Sequence, residues 1–284
     1  RQKMISAVFN SFKPDVVLHA AAYKHVPMQE LNPWEAVQTN IQGTINLVDA
    51  CEVYDIERFV LVSTDKAVNP TNVMGATKRV AEQVIQARSI DTKVKYMAVR
   101  FGNVIGSSGS VIPTFQDQIK NGGPVTITDP NIKRYFMSIP EAAQLILQAG
   151  SIGKGGEIFV LDMGEPVLIK DIANELIKLS GFSPDVDIPI EYIGLRPGEK
   201  MYEELMTKGE NITDSPHEKI MILKNKITHG WNQIIAESEK VVEKSKSFDV
   251  NIIKQSLINL VPEYLPETQE IENLNFIKAK HKNL

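Results

Sequence analysis

The sequence predicts an α/β protein built on a doubly wound parallel sheet, with a smaller C-terminal domain. Two observations support this fold. Short apolar runs alternate along the chain with amphipathic helical patterns, which is typical of βαβ units. One apolar run, Phe59 to Val62, ends abruptly in the polar residues Ser63 to Lys66. In open α/β sheets the chemistry lies beyond the carboxyl ends of the strands, so these polar residues are the first candidates for a site.

The composition is that of an ordinary globular protein. The 284 residues are 43% hydrophobic, and 31 basic against 35 acidic residues leave a net charge of −4. We therefore expect no nucleic-acid partner, and no membrane contact by this segment, because no apolar run approaches the roughly 18 residues of a span. The histidines lack the spacing of a metal site, so no metal is expected. The single cysteine, Cys51, shares an apolar helical stripe with Val48, which predicts a buried thiol in a reducing cytoplasm.

Before residue 103 the predicted elements alternate regularly between helix and strand. Asn32 and Pro33 form a good helix start, since a capping side chain precedes proline at the first helical position. Asn40 then falls inside this helix, where it is either a solvated surface amide or a buried amide that orders the site. The predicted elements are a helix up to 12, a strand at 16–21, a helix to 51, a strand from 59, a helix at 73–87 and a strand at 94–99.

After Asn103 the elements become shorter and the loops richer in glycine, which predicts a smaller domain interleaved with returns to the sheet. Ser138 and Glu141 form a capping box at the start of one helix. The remaining predicted elements are a helix at 111–120, a short strand at 125–128, a strand at 157–161, a helix at 168–179, a strand at 188–193 and a polar loop at 194–200.

Asp65 and Lys66 place a carboxyl and an amine side by side at a strand end, where they could give and take protons. The alternative is an ordinary solvated turn, because Ser and Asp are common turn residues. In the helix that follows Pro70, Met74 and Lys78 are four positions apart and project from the same face.

The chain resembles the extended short-chain dehydrogenase/reductases, and within them the nucleoside-diphosphate-sugar 4,6-dehydratases of the CapD type. Most of the superfamily has tyrosine four residues before the helix lysine, whereas this chain has Met74, like one recognised branch. The resemblance covers nearly the whole chain. The motifs that carry the resemblance are His19 to Pro27; Thr64, Asp65 and Lys66 with Met74 and Lys78; Arg100 to Val104; Arg134 to Met137; and Leu195 to Lys200.

The resemblance implies a Rossmann-like fold in which Val16 to Ala21 is the fourth strand. No glycine-rich turn precedes this strand, so we expect an N-terminally shortened chain whose parent, as in many of these dehydratases, carries a membrane-anchored N-terminal region. The predicted division is 1–103, the C-terminal part of the dinucleotide-binding domain; 104–237, the substrate-binding region; and 238–284, a partly helical tail. The exposed edge at Val16 predicts that the segment alone is poorly soluble and does not retain NAD.

The resemblance also implies catalytic roles. Oxidation of C4 of a hexose makes the C5 proton acidic, after which Lys66 acts as the C5 base and Asp65 as the acid for the C6 hydroxyl. The base role requires burial to lower the pKa of Lys66. Because a thioether cannot relay a proton, the usual role of the tyrosine at O4 passes from Met74 to Thr64, and Lys78 holds the nicotinamide ribose.

A tightly bound NAD, or alternatively NADP, and a UDP-sugar are the implied ligands. The amide Asn103 and the arginines Arg134 and Arg196 would hold the uridine diphosphate, since guanidinium pairs with phosphate in a bidentate manner. Without the resemblance both arginines are ordinary surface charges. Lys24 and His25 either reach the sugar or are loop residues. The residues expected at the cofactor are Ala20, Ala21, Ala22, Asn40, Ser63 and Lys78.

The predicted function is NAD-dependent dehydration of a UDP-N-acetylhexosamine, with UDP-N-acetylglucosamine as the expected substrate, by a homo-oligomer in bacterial surface polysaccharide or glycan biosynthesis. Two alternatives stay open. One is a nucleotide-sugar 4-epimerase or reductase on the same scaffold, against which the pair Asp65 and Lys66 and the absent tyrosine argue. The other is a non-catalytic remnant.

Overall fold

A computed structural model describes residues 2–207, 210–224 and 229–266 of the chain. The end of the predicted 238–284 tail lies outside these residues. The elements up to residue 104 are α1 (Gln2–Phe12), β1 (Val16–His19), α2 (Val26–Leu31), α3 (Pro33–Ala36), a π-helical turn (Val37–Gln42), α4 (Gly43–Val53), β2 (Arg58–Val62), a 3-10 turn (Asp65–Ala67), α5 (Val73–Arg88), β3 (Lys95–Arg100) and β4 (Asn103–Val104).

The remaining elements are mostly shorter, as the sequence predicts. None of the described helices is both long and apolar enough to cross a lipid bilayer. These later elements are α6 (Val111–Lys120), β5 (Val125–Ile127), β6 (Lys133–Arg134), β7 (Phe136–Met137), α7 (Ile139–Ile152), β8 (Ile158–Leu161), β9 (Val167–Leu168), α8 (Ile169–Leu179), β10 (Ile190–Tyr192), β11 (Asn211–Asp214), β12 (Ile220–Lys224), α9 (Trp231–Ser245) and α10 (Val250–Leu260).

The central sheet has six strands in the order β1-β2-β3-β8-β12-β11. Strands β1, β2, β3 and β8 pair in parallel, and β12 and β11 add an antiparallel edge. Residues Phe59 to Leu61 of β2 are fully buried, as expected for a central strand covered on both faces. The predicted Rossmann-like α/β fold is confirmed, and the antiparallel pair is an addition that the sequence did not indicate.

Helices cover both faces of the sheet. On one face α4 and α5 pack against the strands, and α5 contributes its apolar stripe of Val73, Val80 and Val84. On the other face α7 packs with Leu145 and Ala149 against the strands. Such a two-sided arrangement is the doubly wound topology, and it brings the carboxyl ends of β1, β2 and β3 to one edge.

Strand β1 pairs only with β2 in the described part of the chain. The side chains of Val16 and Leu18 are 46% and 47% exposed. An apolar strand edge of this kind is a template for pairing with another strand. The low solubility predicted from this edge stays a prediction.

A smaller unit lies between β4 and β10. Strand β5 pairs in parallel with β10, and α6 and α8 pack on them around Phe115, Ile127 and Ile177. The predicted boundary after residue 103 stays a prediction. Position 238 lies inside α9, whose apolar residues pack into the core of the main sheet, so residues 238–260 are two packed helices rather than a separate tail.

Helices α9 and α10 contact α5, and a buried ion pair links α10 to the start of α5. The carboxylate of Glu30 accepts a hydrogen bond of 2.6 Å from the backbone N–H of Val73, in the first turn of α5. The same carboxylate pairs with the ammonium of Lys254 on α10, and both side chains are almost fully buried. This pair therefore joins the C-terminal helices to α5.

Removal of the Lys254 ammonium should destabilise the fold, because it leaves the buried charge of Glu30 without this counter-ion. We expect Lys254→Ala to lower the free energy of unfolding by about 3 kcal/mol, measured by urea denaturation. Lys240→Ala is the matched control, since Lys240 pairs with Glu237 on the exposed face of α9 and should cost less than about 0.5 kcal/mol. Equal losses in the two variants would contradict the role of the buried pair.

Candidate active site

A cleft of about 450 Å³ opens beyond the carboxyl ends of β1, β2 and β3. Three segments of the chain that leave these strands form its floor, and the loop at 196–199 and Glu203 close one side. The lining includes many of the predicted site residues: Ala20, Ala22, Lys24, His25, Ser63, Thr64, Lys66, Met74, Lys78, Asn103, Arg134 and Arg196.

The 3-10 turn after β2 begins at Thr64, whose hydroxyl has two partners. Its oxygen accepts a hydrogen bond of 3.3 Å from the backbone N–H of Lys66, and its O–H donates to Asp65 Oδ1 at 2.8 Å. The cap fixes the turn, so the two side chains expected to exchange protons are held beside each other. Lys66 Nζ donates to the same Asp65 Oδ1 at 2.9 Å.

Three side-chain oxygens surround the Lys66 ammonium. They are Asp65 Oδ1 at 2.9 Å, Asn103 Oδ1 at 3.4 Å and Glu203 Oε1 at 3.7 Å. Burial alone would lower the pKa of Lys66, but the charges of Asp65 and Glu203 and the hydrogen bond to Asp65 outweigh it and raise the pKa above its usual value. The expected lowered pKa is therefore wrong for this structure, because the charge of Asp65, the sequence neighbour of Lys66, and that of Glu203, which is distant in sequence, together outweigh burial.

The carboxylate of Asp65 lies beneath the cleft and is only 1% exposed. Its Oδ2 atom makes no hydrogen bond to any residue that the structure describes. A Cβ atom placed on Gly102, in the cleft floor, would lie 3.4 Å from this oxygen. A side chain at this position would also meet Tyr135, whose Cβ atom would be only 2.9 Å away, so a larger residue would crowd the surroundings of Asp65.

Helix α5 begins at the cap Asn72, whose side chain accepts a hydrogen bond from the backbone N–H of Gly75 at 2.8 Å. Met74 and Lys78 line the cleft from the same helix face and are 3% and 4% exposed. Burial lowers the pKa of Lys78 to about 8, with Glu82 acting weakly in the opposite direction. Unlike Lys66, Lys78 has no ion pair with any described residue.

The π-helical turn carries Asn40, which is 1% exposed, so the buried-amide interpretation is the correct one for its position. Its side chain donates to Thr77 Oγ1 at 2.9 Å and accepts from the backbone N–H of Tyr23 at 3.0 Å. The amide therefore ties the loop after β1 to α5. Nearby His19 contacts the Thr44 hydroxyl at 3.0 Å, and burial, helped by the charge of Lys78, lowers the pKa of His19 to about 4.

Ser63 faces a buried charge network that sequence reasoning missed. Its hydroxyl donates to Glu82 Oε1 at 2.6 Å, and Glu82 accepts two hydrogen bonds from Arg100, at 2.7 and 2.8 Å. Both charged side chains are essentially inaccessible. The only sign of this network in the sequence is that Arg100 begins the motif Arg100 to Val104, one of those that carry the family resemblance. The network positions the side chain of Ser63 at the cleft. A serine at the end of a predicted strand gives no indication of such a network.

The two predicted phosphate-binding arginines differ in position. Arg134 is 6% exposed, and its guanidinium donates to the backbone oxygens of Lys133, Lys200 and Met201 and to Glu199. It therefore fixes the loop that carries Arg196. Arg196 is exposed, and its guanidinium makes no hydrogen bond to the described residues.

The loop after β1 holds the remaining predicted residues. Ala20 and Ala21 are exposed and Ala22 is half-buried; Ala20 and Ala22 line the cleft together with Lys78, whereas Ala21 is not among its lining residues. Lys24 and His25 are exposed at the cleft mouth, where partial burial lowers the pKa of Lys24. A Cβ atom on Gly109 would lie 2.7 Å from His25 Cε1, so the glycine-rich loop at 106–110 contacts this histidine.

Comparison with known proteins identifies the family. A family model described as a polysaccharide biosynthesis protein matches residues 1–225. The chain belongs to this family. The capsular polysaccharide biosynthesis protein CapD of Staphylococcus aureus is 55% identical over 240 residues, or 84% of this chain and 39% of CapD. The inverting UDP-N-acetylglucosamine 4,6-dehydratase of Campylobacter jejuni is 34% identical over 84% of this chain and 66% of its own length.

The family resemblance extends to an epimerase. The UDP-glucose 4-epimerase of Rickettsia canadensis is 40% identical over 70% of this chain and 60% of its own length. The chain spans about two-fifths of the length of CapD and less than two thirds of this epimerase. The dehydratase and epimerase activities are those of these longer relatives.

Solved structures of related proteins share the fold. Pen from Bacillus thuringiensis superposes with a TM-score of 0.74 at 38% identity, over 80% of this chain and 71% of Pen. The dTDP-glucose 4,6-dehydratase DesIV of Streptomyces venezuelae, solved with NAD bound, gives a TM-score of 0.65 at 20% identity over 74% of this chain and 69% of DesIV. At that identity DesIV shows the fold alone.

The buried amine of Lys78 should make stability depend on pH. Between its folded pKa of about 8 and the usual lysine pKa of 10.5, the unfolded chain binds more protons than the folded one, so stability rises with pH in that window and not below it. Relative to Lys78→Met, the wild-type free energy of unfolding should gain about 3 kcal/mol from pH 8 to 10.5. Urea denaturation at both pH values measures this, and a constant difference would contradict the lowered pKa.

Proposed function

We propose that the full-length protein containing this chain catalyses the NAD-dependent dehydration of a UDP-N-acetylhexosamine, UDP-N-acetylglucosamine in particular, to the 4-keto-6-deoxy sugar. The observation that supports this most is the hydrogen-bonded pair of Asp65 and Lys66, 2.9 Å apart, beside the cleft that Lys78 lines. Elimination of the C6 hydroxyl needs an acid and a base together, and this pair supplies both.

The second candidate is a nucleotide-sugar 4-epimerase, which the similarity to the rickettsial UDP-glucose 4-epimerase favours. Epimerisation requires oxidation and reduction at C4 only, so it gives no task to an acid and a base near C5 and C6. The dehydratase proposal accounts for Asp65 and Lys66, and the epimerase proposal leaves them unused.

The pair can reach its working state by one internal proton transfer. Lys66 carries a raised pKa and is an ammonium at neutral pH, so it must lose a proton before it can take one from C5. Asp65 Oδ1 is the nearest acceptor. Transfer from Lys66 Nζ to Asp65 yields a neutral amine for C5 and a carboxylic acid that can protonate the departing C6 hydroxyl, with no net change in charge.

Thr64 is the residue proposed to act at O4, because the thioether of Met74 cannot carry a proton. The Thr64 hydroxyl lines the cleft and donates to Asp65 Oδ1 at 2.8 Å. Because Asp65 takes the proton of Lys66 for the elimination, the O4 proton passes from Thr64 to solvent in the cleft, and one proton returns to Lys66 at the end of the turnover. Lys78, with a pKa of about 8 and no described ion-pair partner, stabilises negative charge that develops at the same oxygen.

The residues around Lys78 fit the nicotinamide end of a dinucleotide. The small side chains of Ala20 and Ala22 leave room at the carboxyl end of β1, and the buried ammonium of Lys78 offers donors to ribose hydroxyls. When bound, NAD would supply the oxidation at C4 and the reduction at C6. Ser63 and Asn40 order this part of the cleft through Glu82 and Thr77.

The uridine diphosphate is proposed to bind at the loop that carries Arg196. Its exposed guanidinium suits pyrophosphate oxygens, and Asn103 offers an amide in the cleft. Arg134 contributes by holding the loop in place through Glu199 and the backbone oxygens of Lys200 and Met201. A role in surface polysaccharide biosynthesis and a homo-oligomeric state complete the proposal.

The reaction can be followed by solvent deuterium. Incubation of the full-length protein with UDP-N-acetylglucosamine in deuterated water should give a 4-keto-6-deoxy product labelled at C5, with no net consumption of NAD, because the C5 proton exchanges through Lys66. Mass spectrometry and NMR of the product measure the label. Formation of UDP-N-acetylgalactosamine without label at C5 would support the 4-epimerase instead.

The acid and base roles predict distinct losses. Lys66→Ala should abolish dehydration, and Asp65→Asn should slow it by about 100-fold or more, as expected for a lost general acid. Lys120→Ala is a control on the exposed surface of α6 and should leave the rate unchanged. If Asp65→Asn and Lys66→Ala keep wild-type rates by the product assay, the roles are assigned to the wrong residues.

A further inference from the structure

Glu203 is a buried carboxylate of the cleft that the proposed reaction does not use. The residue is 7% exposed and lines the cleft, and its Oε1 atom lies 3.7 Å from Lys66 Nζ. Its Oε2 atom is also buried and makes no hydrogen bond to the described residues. Neighbouring Glu204 is different, since it is 43% exposed by side chain and pairs with Lys200.

An unpartnered buried carboxylate oxygen is costly, because it has lost its hydration without gaining a donor. The described charged groups that influence Lys66 are Asp65, Glu203 and Arg134. Of the two carboxylates, Glu203 is the one that lines the cleft. A ligand hydroxyl there is the group that can satisfy its free oxygen.

We propose that Glu203 is a positioning residue. Its Oε1 atom pairs with the Lys66 ammonium, and its Oε2 atom accepts a hydrogen bond from a sugar hydroxyl. The assignment rests on the proposed function, since it presumes a hydroxyl-rich ligand beside Lys66. A hydrogen bond from the sugar hydroxyl disperses the negative charge of the Glu203 carboxylate and weakens the attraction of this carboxylate for Lys66. Entry of the sugar therefore favours transfer of the Lys66 proton to Asp65, so that the base is formed only when substrate is present.

The first test measures the ionisation of Lys66 without any turnover. Competitive labelling of the full-length protein with acetic anhydride over a range of pH, read by mass spectrometry, gives the midpoint at which Lys66 becomes reactive. Removal of one nearby negative charge in Glu203→Gln should move this midpoint to lower pH by about one unit. Glu204→Gln is the matched control and should leave it in place.

The ligand arm of this test distinguishes a sugar hydroxyl from the nucleotide. Saturating UDP-N-acetylglucosamine should move the wild-type midpoint to lower pH, whereas UDP should not, since it lacks the hexose. In Glu203→Gln neither ligand should move it further. A wild-type shift of equal size with UDP, or no shift in Glu203→Gln without ligand, would overturn the proposal.

Activity provides the second measurement. In Glu203→Gln the ascending limb of the pH profile of kcat/KM should move to lower pH with the labelling midpoint, and KM for the UDP-sugar should rise about tenfold while the Kd for UDP is unchanged. Glu203→Asp keeps the charge and should retain most of the wild-type midpoint, which separates the effect from a folding defect. A wild-type protein that makes no 4-keto sugar refutes the proposed function, whereas normal dehydration with an unmoved Lys66 midpoint in Glu203→Gln refutes only the role of Glu203.

Discussion

The site depends on one close approach, between the first turn of α5 and the 3-10 turn that follows β2. A Cβ atom on Gly75 would lie 2.1 Å from the carbonyl oxygen of Lys66, so only glycine lets the two backbones meet. This contact sets the distance between the Asp65–Lys66 pair on one side and Lys78 on the other. The Asn72 side chain, which caps α5, also donates to the carbonyl of Gly198 at 3.0 Å, so the loop at 194–200 is placed by the same junction.

The two lysines of the cleft show how neighbours rather than burial alone determine charge. Both are largely enclosed, yet the pKa of Lys66 is raised and that of Lys78 is lowered to about 8. Two carboxylates face Lys66, whereas the carboxylate of Glu82 on the helix of Lys78 is neutralised by Arg100. One cleft thus holds two lysines whose pKa values are displaced in opposite directions, Lys66 upward and Lys78 downward.

Local signals made much of this structure predictable from sequence. The apolar run of β2, the stripe on α5 and the capping box at Ser138 each depend on residues a few positions apart, and each element forms where it was expected. The raised pKa of Lys66 depends first on Asp65, its sequence neighbour, and then on Glu203, which comes from a distant loop whose position the sequence does not indicate. The hydrogen bonds from the Arg134 guanidinium to backbone oxygens could not be predicted either, since they depend on how the loop at 199–201 folds back. Helix α9 spans the predicted boundary at residue 238. Its many charged residues made the apolar residues that pack on α5 difficult to recognise in the sequence.

The position of α9 and α10 has a consequence for how the family is delimited. The family model ends at residue 225, whereas the apolar core under α5 is completed by Ile234, Val241, Ile253 and Leu257 beyond it. The unit that the family model outlines is therefore smaller than the unit that folds around α5. Substitutions in these two helices can shift α5, which lines the cleft with Met74 and Lys78, while every residue of the cleft stays the same. Related proteins with identical clefts and different C-terminal helices would then differ in the temperature range over which the cleft keeps its shape.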